Sequence, residues 1–204
     1  MKTRFAALCI AAALVGPATA IDRARADPAT PAEPGPAEPK AERGRSIDFL
    51  FEALKAAPDA ETAKLIENRI WALWFASGSD TADLLMTRVK QAMEANDADL
   101  DLALRLLNAI IELNPDYAEA WNRRATLYFT KKDYAHALGD IAQVLAREPR
   151  HFGALTGLGM ILQDMGEDKR ALEAFRRALA IDPHLQKVPE FVKALSEKIE
   201  GRDI

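Results

Sequence analysis

The side chains of this sequence that are best suited to chemistry are three histidines, one cysteine and many scattered carboxylates. His136, His151 and His184 are not spaced as ligands on one helix face, and no cysteine or carboxylate completes a metal-site pattern beside them. The single cysteine, Cys9, lies in an apolar run near the start of the chain. We therefore predict no metal, no cofactor and no catalytic residue, and we expect each histidine to lie at the surface or in a loop.

Other catalytic patterns are also missing from the sequence. The glycines at 157 and 159 do not follow a strand pattern, which a phosphate-binding loop requires, and no serine stands in a nucleophile elbow. An enzyme would need a constellation of polar residues that the sequence does not offer. The search for a function therefore turns to binding.

Residues 1–20 have the order of a secretory signal peptide. Lys2 and Arg4 precede an apolar run from Phe5 to Val15, which is shorter than the roughly 20 residues that a membrane-spanning helix needs. Small residues then lead to a predicted cleavage site after Ala20. We expect a periplasmic or secreted protein with no stable membrane insertion after cleavage, and a retained anchor is the less favoured alternative.

The segment that follows, residues 21–45, has five prolines and no large apolar residue beyond Ile21, which predicts a disordered linker. Without residues 1–20 the chain has 25 basic and 31 acidic residues, so its net charge is −6. A negative chain is a poor match for the phosphate backbone, and we expect no nucleic acid as a partner.

From Ser46 onward the apolar residues recur with helical spacing and no strand pattern is present, so the fold class is all-α. Ser46 is interpreted as the N-cap of a first helix of about 47–57, Pro58-Asp59 as the break before a second helix, and residues 77–80 as the next stop. Trp71 and Trp74 are expected to fill the core between the first two helical hairpins. An exposed docking patch is the alternative for these tryptophans.

Three prolines, Pro115, Pro149 and Pro183, are separated by 34 residues, and each closes an amphipathic helix. The same period brings small residues into register in the helices between them. We expect the small side chains at Ala125, Gly159 and Ala171 to let antiparallel helices approach closely, with large apolar side chains filling the space beside them.

These residues resemble the tetratricopeptide repeat family, whose 34-residue unit carries such small, aromatic and closing proline positions. The resemblance implies a right-handed α-solenoid of antiparallel helix pairs with a C-terminal capping helix. It divides the chain into a divergent helical hairpin (46–80), a divergent repeat (82–117), two repeats (118–151 and 152–185) and a capping helix (186–200). Arg88 and Arg124 depart from the family, and we expect their stems to pack inward with the guanidinium groups in solvent; an anion-binding role is the alternative.

The resemblance also implies a concave groove, lined by the first helix of each pair, that binds a protein or peptide partner. The side chains expected in this groove are Lys90, Asn122, Arg123, Thr126, Phe129, Thr156, Gly157 and Met160. We expect them to be exposed, so that replacing Asn122 and Arg123 with alanine changes stability by under about 0.5 kcal/mol.

The predicted function is therefore that of an exported, non-catalytic adaptor. The alternative is a structural or self-assembling subunit of a cell-envelope complex that uses its outer or terminal surfaces, such as Trp71, Trp74, Phe191 and Ile199. The oligomeric state does not follow from the sequence.

Overall fold

The computed structural model describes residues 40–94 and 99–201, and the predicted signal peptide and most of the predicted linker lie outside them. The described residues form helices without any strand. The helices are α1 (Lys40–Lys55), α2 (Ala60–Phe75), α3 (Asp80–Glu94), α4 (Leu100–Leu113), α5 (Ala118–Thr130), α6 (Tyr134–Arg147), α7 (Phe152–Asp164), α8 (Asp168–Ile181) and α9 (Val188–Glu200).

Aspartate side chains cap the N-termini of three of these helices. The side chain of Asp59 accepts a hydrogen bond from Thr62 N (2.7 Å), and Asp99 caps α4 in the same way. Asp133, 34 residues after Asp99, caps α6. Each carboxylate satisfies a backbone N–H group that has no partner inside the helix, and it also interacts favourably with the helix dipole.

The expected N-cap at Ser46 is wrong. The helix α1 begins at Lys40, so Ser46 lies inside it, and residues 40–45 of the predicted linker are helical. The start of this helix contains glycine and charged residues and no large apolar residue, so apolar spacing does not predict it. Asp59 does open α2, and the stop at residues 77–80 does separate α2 from α3.

The helices α3–α8 form three antiparallel pairs in sequence order, α3 with α4, α5 with α6 and α7 with α8. The predicted close contacts are present, since Ala125 and Ala171 are almost fully buried and Gly159 faces the ring of Phe175. The all-α solenoid is therefore confirmed. Each pair contributes a first helix to one face of the stack, and we call the surface of α3, α5 and α7 the first-helix face.

The C-terminal capping helix is α9, which packs on α8 as predicted. Leu195 is buried, and the rings of Phe191 and Phe175 lie 5.2 Å apart in a stacked arrangement. A stack of repeats would otherwise expose the apolar side of its last helix pair to water.

The position of the first hairpin, formed by α1 and α2, is the main departure from the expected stack. Trp71 and Trp74 do not pack between the first two hairpins, so that expectation is wrong. Both rings instead contact Phe152, at the start of α7 (ring centroids 5.6 and 5.1 Å), and Trp74 stacks on His151 at 4.0 Å. The hairpin thus folds back over the first turns of α5 and α7 and does not precede α3 in the stack.

Candidate functional site

The first hairpin reaches the repeats along one edge, where each second helix ends and the next first helix begins. The residues of this edge recur every 34 positions, in one row of Asn114, Glu148 and Asp182 and another of Tyr117, His151 and Leu185. The first row supplies the C-cap residues of α4, α6 and α8. The period therefore gives the hairpin a regular surface to bind.

Hydrogen bonds pin both ends of the hairpin to this edge. Tyr117 Oη donates to the carbonyl oxygen of Phe75 (2.7 Å), and Asn114 Nδ2 donates to that of Ser77 (3.2 Å). At the other end, His184 Nε2 donates to the carbonyl oxygen of Ala57 (3.1 Å). Burial raises the pKa of the Tyr117 phenol, with a contribution from the nearby Glu119 carboxylate, so its hydroxyl stays protonated and able to donate.

A buried charged network lies beneath the hairpin, centred on Glu119, whose side chain is inaccessible to solvent. Its carboxylate accepts hydrogen bonds from Arg123 Nε (2.7 Å), Asn122 Nδ2 (2.9 Å) and His151 Nε2 (3.3 Å). His151 Nδ1 accepts from Ala154 N (3.0 Å), which places the proton of the neutral ring on Nε2. A buried carboxylate needs such partners to offset the loss of water.

This network bears on two expectations. His151 lies in the loop before α7, which is one of its two expected environments, but it is fully buried there and caps α7, whereas His136 is mostly exposed. Asn122 and Arg123 are half-buried and hold Glu119, so they are not the freely exposed side chains that the sequence indicated. The available sequence signal was the alignment of His151 with Tyr117 and Leu185, which marks a shared apolar edge.

We expect Arg123→Ala to lower the free energy of unfolding by about 2 kcal/mol, because it leaves a buried carboxylate with fewer donors. A fully buried ion pair would lose more stability than this, but the Arg123 side chain is 35% exposed and water screens part of the interaction. Chemical denaturation followed by circular dichroism measures the loss. A loss as small as that of Arg177→Ala, at an exposed position on α8, would contradict a structural role for Arg123.

The double variant Arg123→Ala, Glu119→Gln tests whether the stability is lost because the Glu119 carboxylate is left with fewer donors. Glutamine removes the buried charge and keeps a hydrogen-bond acceptor in place, so the double variant should recover part of the lost stability. If the loss of stability in the double variant equals or exceeds the sum of the two single losses, Arg123 acts through some other contact.

The remaining predicted groove residues lie on the first-helix face with different degrees of exposure. Lys90, Thr126 and Met160 are exposed, while Phe129 and Thr156 are half-buried. Both threonine hydroxyls donate to carbonyl oxygens one turn earlier in their own helices. A Cβ atom at Gly157 would lie 3.7 Å from Ile141 Cδ1, so this glycine also borders α6.

The environment of the Arg124 guanidinium differs from the predicted one. Its guanidinium forms two hydrogen bonds of 2.8 Å with Asp140 and a third, from Nη1, of 2.7 Å with Asn108. The ion pair with Asp140 raises the pKa of Arg124. The expectation of a solvent-directed guanidinium is therefore wrong for Arg124, which joins α4, α5 and α6, whereas Arg88 is exposed.

The part of the first-helix face that the hairpin leaves uncovered contains a cleft between α3, the end of α2 and α5. Its volume is about 500 Å³, and we call it the α3 cleft; it is lined by Phe75, Asp83, Met86, Thr87, Val89, Lys90, Met93, Glu94 and Arg123. The Arg123 guanidinium lies over the Phe75 ring (4.9 Å), and within residues 40–94 and 99–201 its terminal amino groups form no hydrogen bond. The cleft therefore combines flexible methionines with cationic hydrogen-bond donors.

Metal-binding and membrane-spanning features are both missing from the described part of the chain. No group of three histidine, cysteine, aspartate or glutamate side chains is arranged to hold a metal ion in residues 40–94 and 99–201. None of the helices in those two ranges has the length and apolar character needed to cross a bilayer.

The side chains named for the alternative of self-assembly are partly or largely packed within this chain. Trp74 is 9% exposed, and Trp71 is half-buried against Phe152. Phe191 and Ile199 are half-buried against the core between α8 and α9.

Models of known protein families match this chain in its repeats. Residues 152–185 match a family model described as tetratricopeptide repeat, and residues 92–143 match a second model with the same description. A TPR repeat-containing protein of Rhizobium etli is 48% identical over 99 residues, which cover 48% of this chain and 48% of that protein. The chain thus spans about half the length of this curated relative.

Two solved structures share the fold at low sequence identity. The first TPR of Spaghetti (RPAP3), bound to an HSP90 peptide SRMEEVD, has a TM-score of 0.56 at 18% identity, covering 60% of this chain and 95% of that one. The Sgt2 TPR domain of Aspergillus fumigatus has a TM-score of 0.55 at 20% identity, covering 61% and 83%. At these identities the likeness concerns the fold alone.

Proposed function

Since the chain is a member of the tetratricopeptide repeat family, we propose that it is a non-catalytic adaptor that binds a protein or peptide partner on its first-helix face. TPR domains typically mediate protein–protein interaction, and the solved Spaghetti domain holds a peptide. The observation that carries the proposal here is the α3 cleft. Apolar side chains and the terminal amino groups of Arg123 line it together.

The chemistry of the α3 cleft suits a short extended segment of a partner. Met93, which is half-buried, adapts to apolar side chains of different shape because the thioether chain is flexible, and the buried Met86 lines the cleft from the core. Arg123 offers its terminal amino groups to a carboxylate or carbonyl oxygen, and its Nε is already fixed on Glu119, so little further ordering is required on binding. Lys90, 4.0 Å from Glu94 and largely exposed, adds a second and more mobile cation.

Photocrosslinking in cells tests this surface. A photoreactive residue at Lys90 or Thr126 should trap one partner, identified by mass spectrometry, and the same residue at Arg177 on α8 should not. Lys90→Glu, combined with the photoreactive residue at Thr126, should reduce that product severalfold without changing the circular dichroism spectrum. A partner trapped equally from Arg177, or an unchanged yield in Lys90→Glu, would place the binding surface elsewhere.

The second part of the proposal concerns export. Residues 1–20 have the composition of a cleaved signal peptide, which supports a periplasmic or secreted adaptor. The intact mass of the protein recovered from cells decides this point. A mature chain that begins after residue 20 supports export, whereas a full-length chain in the soluble cell extract contradicts it.

A further inference from the structure

Two buried carboxyl groups meet where the first hairpin rests on the end of the third repeat. Glu67 is on α2 and 7% exposed, and Asp182 is the C-cap residue of α8 and fully buried. Around them, Ile66 of α2 packs in one apolar cluster with Ile181 and Leu185. Glu67 acts on the Asp182 carboxyl both by its charge and as a hydrogen-bonding neighbour, so the two acids face each other across the interface between the hairpin and the repeats.

Few donors surround this pair. Asp182 Oδ1 accepts a hydrogen bond from His184 N (3.0 Å), whereas Oδ2 is buried and has no donor among the described residues. Lys64 Nζ donates to Glu67 Oε2 (2.8 Å) from the exposed side of α2. Two ionised carboxylates cannot hydrogen-bond to each other, but one shared proton lets them do so.

We propose that Glu67 and Asp182 share a proton and thereby clasp the first hairpin to the repeats, and that loss of this proton loosens the hairpin. An ionised pair buries two like charges with only Lys64 as a neighbouring cation in direct contact among the described residues. The negative charge of Asp182 also lies at the C-terminus of α8, where the helix dipole disfavours it. A proton shared by the two acids removes one negative charge, which relieves both the repulsion between the carboxylates and the unfavourable interaction with the helix dipole.

The direction of the pH dependence follows from the raised pKa of Asp182. Burial, opposed by the hydrogen bond from His184 N and reinforced by the neighbouring Glu67, raises the pKa of Asp182 from 3.8 to about 6. The attached hairpin therefore binds more protons than the released hairpin between about pH 4 and pH 6. Attachment is strongest below this window, weakens as the pH rises through it, and stays at its weaker level above about pH 6.

Other titratable groups border the interface. His184 is a charge neighbour of both Asp182 and Asp59, the N-cap of α2. His151 lies under the hairpin, where its Nε2 donates to Glu119 and its Nδ1 accepts from Ala154 N. The carboxyl pair predicts attachment that weakens as the pH rises, so the sign of the observed dependence is a decisive measurement.

Release would expose aromatic side chains on both sides of the interface. Trp71 and Trp74 of the hairpin meet Phe152 of α7 there, and Gly153 lies so close to Trp71 that a Cβ atom would be 2.8 Å from its ring. The first turns of α5 and α7 would then become accessible on the first-helix face. The clasp does not depend on the identity of any partner, or on the adaptor function.

Hydrogen exchange of the purified protein tests the clasp. From the two pKa values, the protection of α2 amides, corrected for intrinsic rates and compared with α6, should fall about tenfold from pH 5.0 to pH 7.5. Asp182→Asn imitates the protonated acid and should abolish the fall, leaving α2 as protected at pH 7.5 as at pH 5.0. Glu61→Gln, at an exposed position on the same helix, should keep the fall.

Three results would overturn the proposal. They are equal protection of α2 and α6 at both pH values, a fall that survives Asp182→Asn, or protection of α2 that increases with pH. If Asp182→Asn disturbs α8, Glu67→Gln examines the same pair from the hairpin side. It should reduce the fall, because the acid that shares the proton is gone while Asp182 stays buried, and an unchanged fall would overturn the proposal.

Discussion

Gly159→Leu should lower the free energy of unfolding by about 3 kcal/mol or more, at the upper end of the range for overpacked cores. A Cβ atom at this position would lie 2.5, 2.6 and 2.7 Å from three atoms of the Phe175 ring. Phe175 is itself fully buried and stacked on Phe191, so its ring has no free space to move into. Chemical denaturation monitored by circular dichroism measures the change.

The chain offers a matched control for this substitution at Gly139. This glycine also lies inside a helix, α6, but it is exposed, and a Cβ atom added there would meet no neighbouring side chain within 4 Å. Gly139→Leu should therefore stabilise the protein by up to about 1 kcal/mol, since glycine is a poor helix former. Similar effects at both positions would show that α7 and α8 do not approach closely at Gly159.

Trp74→Ala should weaken attachment of the first hairpin by about 3–5 kcal/mol, the range for a large aromatic residue removed from a core. The indole stacks on His151 at 4.0 Å and contacts the rings of Phe51 and Phe152 at 6.0 and 5.1 Å. Its removal leaves a cavity among these three rings. Hydrogen exchange resolved by peptide should show α1 and α2 losing protection while α5–α8 keep theirs.

Leu65→Ala is the control for this prediction, because Leu65 is on the same helix and 64% exposed. It should change protection of α2 by no more than about 0.5 kcal/mol. Loss of protection throughout α3–α9 in Trp74→Ala would indicate that the hairpin and the repeats unfold together, and that the hairpin cannot be released alone.

The hairpin changes what the repeats can offer to a partner. It covers Glu119, His151 and the first turn of α7, and it leaves the α3 cleft and the later turns of α5 and α7 accessible. Arg123 stands at the border between the two areas, with Nε on Glu119 and its guanidinium over Phe75. A substitution at Arg123 therefore affects stability and binding together, which makes Lys90 the cleaner probe of the α3 cleft.

The sequence by itself determined the helix pairs and their close contacts. Ala125 and Gly159 are small residues 34 positions apart, and Ala171 repeats Ala137 at the same period. Helices that are neighbours along the chain pack through those positions, so local spacing and nearest-neighbour packing suffice to predict them. The capping helix α9 follows for the same reason. Its apolar residues recur on one face, and the last repeat has an apolar side next to it.

Only the tertiary structure decided where the first hairpin packs and what it buries. Apolar spacing shows that α2 has a face to bury, but it does not say which distant surface will receive Trp71 and Trp74. The contacts that fix the hairpin join residues far apart in sequence, such as Asp48 with Arg150 and Phe75 with Tyr117. Burial of Glu119, His151 and Asp182 depends on that docking, because the same residues on an uncovered edge would remain in water.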